Sequence, residues 1–190
     1  MTKKEINSFC PSNQQEWRMW LEKNHVTEDF VWLIIYKKHT KKPTVSWSEA
    51  VDQALCFGWI DSTKRPIDSE KYMQYFGKRK AKSNWSKINK DKIKLLTQQG
   101  LMTTAGIESV KTAKENGSWT ILDTVEALII PQDLEIAFSK HQNAKDFFLS
   151  LSKSLQKILL YKIVSAKRPE TRQKRIDEIA LQMENHQKPS

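Results

Sequence analysis

The stretch Arg79-Lys80-Ala81-Lys82-Ser83-Asn84-Trp85-Ser86-Lys87-Ile88-Asn89 carries the residue types with which a protein holds an anion. With Ser83 as the N-cap of a helix, the backbone N–H groups of Asn84, Trp85 and Ser86 stand at its positive end. Arg79, Lys80 and Lys82 precede that end, and Ser83, Ser86 and Asn89 add short polar side chains. Such a set makes an anion pocket without a glycine-rich loop. The Trp85 indole could stack on a base or sugar ring, although its helical spacing to Ile88 equally suits the core. Lys37, which opens a basic turn running to Pro43, is a second candidate contact for negative charge.

Asp61 is the one candidate catalytic residue. It follows Trp59-Ile60, adjoins Ser62 and precedes Lys64-Arg65, where it could act as a general base or orient a ligand. Holding a nearby cation or shaping the turn suits it as well. A small-molecule enzyme would need Asp61 and Ser62 to line a pocket with Trp59, Arg79 and Trp85. Other features lean away from catalysis. Cys56 falls at the C-terminal end of an expected helix, where the dipole opposes a thiolate, and reads as a small buried hydrophobe. His25, His39, His141 and His186 are too scattered for a metal site. There is no phosphate-binding glycine loop, no Ser/His/Asp signature and no suggestive carboxylate pair, so no cofactor is implied.

Charge sharpens the anion reading. The 190 residues carry 32 Lys+Arg against 22 Asp+Glu, a net +10. Residues 77–94 contribute +7 and residues 36–44 contribute +4, so these two segments carry the whole surplus. Partners that match are an anionic small molecule or a nucleic acid; a solvated basic face is the plainer alternative. With 38% hydrophobic residues, seven Trp and seven Phe, the chain can build a true core. The longest apolar run, Ala127-Leu128-Ile129-Ile130, stops at Pro131, so membrane insertion is not expected. The N-terminus lacks a signal-like apolar stretch and there are only two cysteines. Both point to a cytoplasmic setting.

The elements that must position these residues follow from spacing. Asn13 to Glu16 has the form of a capping box and precedes Trp17, Trp20 and Leu21, one stripe of a short helix. Phe30 to Tyr36 reads as a central strand. Ser46 to Glu49 is a second capping box, whose helix turns Ala50, Val51, Ala54 and Leu55 inward and stops at Gly58. Gly58 to Ser62 and Tyr72 to Phe76 read as strands joined by a turn at Lys64–Asp68. Beyond Lys82 the pattern is helical: Ser83 to Gly100, Thr103 or Thr104 to Asn116-Gly117, then shorter helices around Leu134 and Phe147. Two longer ones follow, one carrying Leu155 to Ile163 and one carrying Ile176 to Met183. The expected fold is α+β: a small antiparallel sheet with helices packed on it, then a C-terminal helical module. The expected boundaries are 10–118 for the first part and 119–190 for the second.

Several strings resemble the YdeI/OmpD-associated family, also called bacteriocin-protection proteins. They include Val31-Trp32-Leu33 with Tyr36-Lys37-Lys38, the run Ala54-Leu55-Cys56-Phe57-Gly58-Trp59-Ile60-Asp61-Ser62, Ser83-Asn84-Trp85-Ser86, and Asn116-Gly117-Ser118-Trp119. The resemblance runs from about residue 10 to the C-terminus, and Arg168, Arg172, Arg175 and Ile176 fit the family's helical module. It implies a bacterial, cytosolic protein that resists bacteriocins or envelope stress, with no agreed reaction. The family pattern favours Pro-Arg and a further Pro before the Ser-x-Trp-Ser motif. Gly77-Lys78-Arg79-Lys80-Ala81 stands there instead, so a more flexible loop is expected. A protein–protein adaptor in stress protection is the alternative to ligand binding.

Overall fold

The Asn13 side chain accepts the Glu16 amide at 2.9 Å, and Glu16 reaches back to the Ser12 amide at 2.8 Å. This cap starts α1 (Gln14–Asn24), which buries Trp17 and Leu21. Phe30–Tyr36 forms β2, and Ser46 caps α2 (Trp47–Cys56) in a complete capping box with Glu49. Gly58, at φ +71°, lets the chain reverse into β3 (Trp59–Pro66) and then β4 (Lys71–Lys78). The computed structural model describes residues 7–187 of this α+β chain.

With Ser8–Phe9 as β1, the sheet has the order β1-β2-β4-β3. β2, β4 and β3 are antiparallel, as expected, but β1 (Ser8–Phe9) runs parallel to β2 and makes the sheet mixed. Two residues flanked by Cys10 and Pro11 carry no strand periodicity, so only pairing with β2 defines them. β3 also outruns its expected turn at Lys64. A register shift between Asp61 and Lys64 absorbs the irregularity, and the chain turns after Pro66. Asp68 closes that turn by accepting the amides of Glu70 and Lys71 at 2.8 and 2.9 Å, which holds its carboxyl below the usual range.

Helix α3 begins at Lys87 and runs to Gln98, so Ser83 does not cap it. The Ser83 amide instead donates to the Lys80 carbonyl at 2.9 Å, closing a turn, and residues 83–86 are irregular. The loop lacking the prolines is pinned all the same. The Ala81 carbonyl accepts from Asn116 Nδ2 at 2.8 Å and from Ser118 Oγ at 3.2 Å. Gly100 and Gly117, both at positive φ, follow α3 and α4 (Thr104–Glu115).

The described residues divide into two compact units, one of 7–83 with 88–118 and one of 84–87 with 119–187. The second is helical: α5 (Asp123–Glu126), α6 (Gln132–Phe138), α7 (Ala144–Ser150), α8 (Lys153–Val164) and α9 (Pro169–Glu184). Leu134, Phe148, Leu159, Leu160, Ile163 and Ile176 make its dry centre. A two-toothed Arg172–Asp133 pair at 2.6 and 2.9 Å ties α9 to α6.

Candidate functional site

The side chain of Gln74, on β4 and almost fully buried, donates to Asp61 Oδ2 at 3.2 Å and to the Ser62 carbonyl at 3.1 Å. It thereby bridges the bulge in β3. A second donor reaches the same Oδ2 from α2, the Trp47 indole Nε1 at 2.8 Å. Trp47, the first residue of α2, shares the i, i+3, i+4 and i+7 spacing of Ala50, Val51 and Ala54, yet at the helix end it stays 49% exposed. Asp61 thus fixes the pose of an exposed aromatic ring. With two donors on one oxygen it acts as a strut between β4 and α2.

Trp47 forms one wall of a cleft of about 410 Å³. Tyr72 and Tyr36 supply further ring surface, Ile35 and Val45 an apolar floor, and Lys37, Lys38 and Lys42 a cationic rim. Lys64 Nζ lies 4.0 Å from the Tyr72 ring centroid, and burial raises the Tyr72 phenol above its ordinary value. The carboxylates near the rim are already engaged, Asp68 by the Glu70 and Lys71 amides. Glu70 binds Lys42 at 2.6 Å and raises its ammonium pKa, while Glu49 accepts the Ser46 amide at 2.9 Å and is held low by Ser46. A neighbouring cleft of about 470 Å³ contains Arg18, but that guanidinium is spent on Glu22, Gln53 Oε1 and the Leu101 carbonyl.

Of the residues singled out from the sequence, Lys37 lines the lysine cleft, and Asp61 joins it through Trp47. Ser62 is exposed and contributes its carbonyl. Trp59 is buried, edge-on to Trp20 at 5.9 Å, with its indole N–H donating to the His25 carbonyl. Arg79 is largely withdrawn from water; burial lowers its pKa to about 10, while the Asp61 charge works in the opposite direction. Trp85 is buried at a centroid distance of 5.0 Å from Trp119 and offers no free face for a base. Lys82 is exposed, Ser83 belongs to a turn, and Ser86 and Asn89 are half-buried. Cys56 is buried and its thiol pKa raised by desolvation, in line with a packing role. Sequence reasoning missed Trp47, Gln74 and Tyr72. The spacing of Trp47 with Ala50, Val51 and Ala54 reads as core, so no local signal marked its exposure.

Among the described residues no cluster of three His, Cys, Asp or Glu could hold a metal, and no helix is long and apolar enough to cross a membrane. Residues 9–109 match a family model described as Domain of unknown function (DUF8412). Residues 127–186 match one described as Bacteriocin-protection, YdeI or OmpD-Associated. The YdeI/OmpD-associated resemblance is therefore carried by the helical C-terminal region, whereas the Cys56-to-Asp61 string falls under the first model. No curated protein and no solved structure matches the chain.

Proposed function

The chain belongs to the DUF8412 family, whose description names no activity, and from that premise we propose that its first unit binds a planar anionic small molecule in the lysine cleft. The observation that carries this reading is the Trp47 ring, half exposed yet locked by Asp61 beside Lys37, Lys38 and Lys42. An exposed indole normally moves among rotamers, and a ring held in place has already lost the freedom that binding would otherwise take away. Stacking on Trp47 or Tyr72 with phosphate or carboxylate at the lysines fits a nucleotide-like metabolite. The basic segment 77–94 adds long-range attraction and need not touch the ligand.

Titration calorimetry with nucleoside monophosphates, their nucleosides and aromatic carboxylates tests this. Phosphorylated compounds should bind and nucleosides should bind at least tenfold more weakly, about 1.4 kcal/mol. The Lys37→Ala/Lys38→Ala variant should lose most of the difference. Equal affinity for charged and neutral compounds, or none for either, refutes the reading. The Bacteriocin-protection description attached to residues 127–186 supports a protective role for the binding, which in this reading takes place in the cytoplasm. Survival of bacteria expressing the wild type or the double-lysine variant under bacteriocin challenge checks that link.

A further inference from the structure

The sheet has a second face that the cleft does not use. Pairing sets Val31, Leu33 and Ile35 opposite Phe76, Gln74 and Tyr72, and this side meets α1 through the Trp17–Phe76 contact and α2 through Trp47 and Asp61. The alternate positions face the other way: Phe30, Trp32 and Ile34 with Tyr75 and Met73, and Arg65 opposite Met73. There Phe30 and Tyr75 stack at 5.3 Å with an interplanar angle of 11°. Trp32 meets Tyr75 edge-on at 5.4 Å, and the Arg65 guanidinium lies 4.7 Å over the Trp32 ring. Lys71, opposite Tyr36, adds a second cation, 5.9 Å from that ring. No described strand position on this face carries an acidic side chain, and Asp29, at the Phe30 end, is paired with Lys78 at 3.0 Å.

We propose that this face binds single-stranded nucleic acid, with bases against the stacked Phe30 and Tyr75 rings, phosphates at Arg65 and Lys71, and Trp32, buried under Arg65, as the support beneath them. The charge pattern selects the occupant. An apolar peptide would match the rings but bring no anion to Arg65 and Lys71, whereas a nucleic-acid strand brings a π-face and an anion with every residue. A duplex hides its base faces inside the stack and matches only the cations. The Phe30–Tyr75 rings and Arg65 lie on the opposite side of the sheet from the Trp47 side chain, and the two sites meet at Tyr36, whose ring has Lys42 of the cleft at 5.1 Å and Lys71 at 5.9 Å.

Fluorescence anisotropy of labelled oligo-dT and oligo-U of about twelve nucleotides, long enough to span one such sheet, tests it on the full chain. Both should bind at low salt, with affinity falling by about 0.7 log units per phosphate contact per decade of salt. Phe30→Ala and Arg65→Glu should each weaken binding about tenfold, near the range for loss of one stacked base. Phe30→Leu keeps the apolar bulk without the ring, and Arg65→Gln keeps a polar chain without the charge. These should weaken binding too, with unchanged thermal midpoints, which separates recognition from folding. The Lys37→Ala/Lys38→Ala variant should bind oligonucleotides as the wild type does. Absence of binding at low salt, wild-type affinity in the Phe30 and Arg65 variants, or loss confined to the lysine-cleft variant overturns the proposal. So does a dimer, seen by sedimentation, that the Phe30 variants dissolve, since the face would then belong to a second copy.

Discussion

Trp47 Nε1 and Asp61 Oδ2 are 2.8 Å apart, joining the first turn of α2 to the bulged end of β3. This strut makes the exposed ring a wall, and it predicts a division of roles. Asp61→Ala should free Trp47 and weaken ligand binding about tenfold, while Asp61→Asn keeps the acceptor and should bind nearly as the wild type does. Asp61→Asn also removes the negative charge acting on buried Arg79, so its thermal midpoint should drop even though affinity holds. Calorimetry and thermal melts on the pair separate the two effects. Identical affinity in Asp61→Ala and wild type would mean that the strut is idle.

Among the described glycines, Gly106 leaves the least room for a Cβ. A Cβ there would press against the Cys56 carbonyl, which already accepts from the Thr103 amide at 3.1 Å and hydroxyl at 2.7 Å. Gly106→Ala should therefore destabilise the protein by about 1–3 kcal/mol despite the better helix propensity of Ala, because α4 must move off α2. A higher midpoint in urea for this variant would contradict the packing account.

The Asp133 carboxyl is held below its ordinary value, first by its hydrogen bond from Arg172. A depressed carboxylate contributes its full stability above its unfolded-state pKa, about 4, and loses it as pH falls through the lower folded value. Arg172→Met should remove that contribution at neutral pH and flatten the acid limb of stability below about pH 4. Both carboxylate and guanidinium are about a third exposed, so solvent screening keeps the effect modest. Melting curves across the acid range, compared between the two proteins, provide the check.

Cysteine reactivity should split by burial. Cys10 is exposed and Cys56 is buried, and desolvation raises both thiols above their ordinary value. Ellman's reagent should titrate one thiol in the native protein, faster as pH rises, and the second only in denaturant. Two equally fast thiols at neutral pH would contradict the placement of Cys56.

Much of the local structure was legible because it is written in short-range chemistry. Both N-terminal capping signals, the apolar run Phe30–Tyr36 and the glycine stops at 58, 100 and 117 depend on neighbours a few residues away. The start of α3 was not. Ser83 has the right side chain for a cap, but a turn to Lys80 and the burial of Trp85 move the helix start to Lys87. Local preference is weak enough for tertiary packing of one indole to override it.

The sequence alone determined a basic α+β chain with a helical second half, because charge, periodicity and turn residues are additive along a chain. Which cations share a cleft was decided by tertiary structure. Lys37 and Trp47 come together because a strand end and a helix start meet over β4, and Asp61 reaches Trp47 only across a bulge. The two sheet faces were likewise set by register, since one residue of slip exchanges every ring between the packed side and the open one.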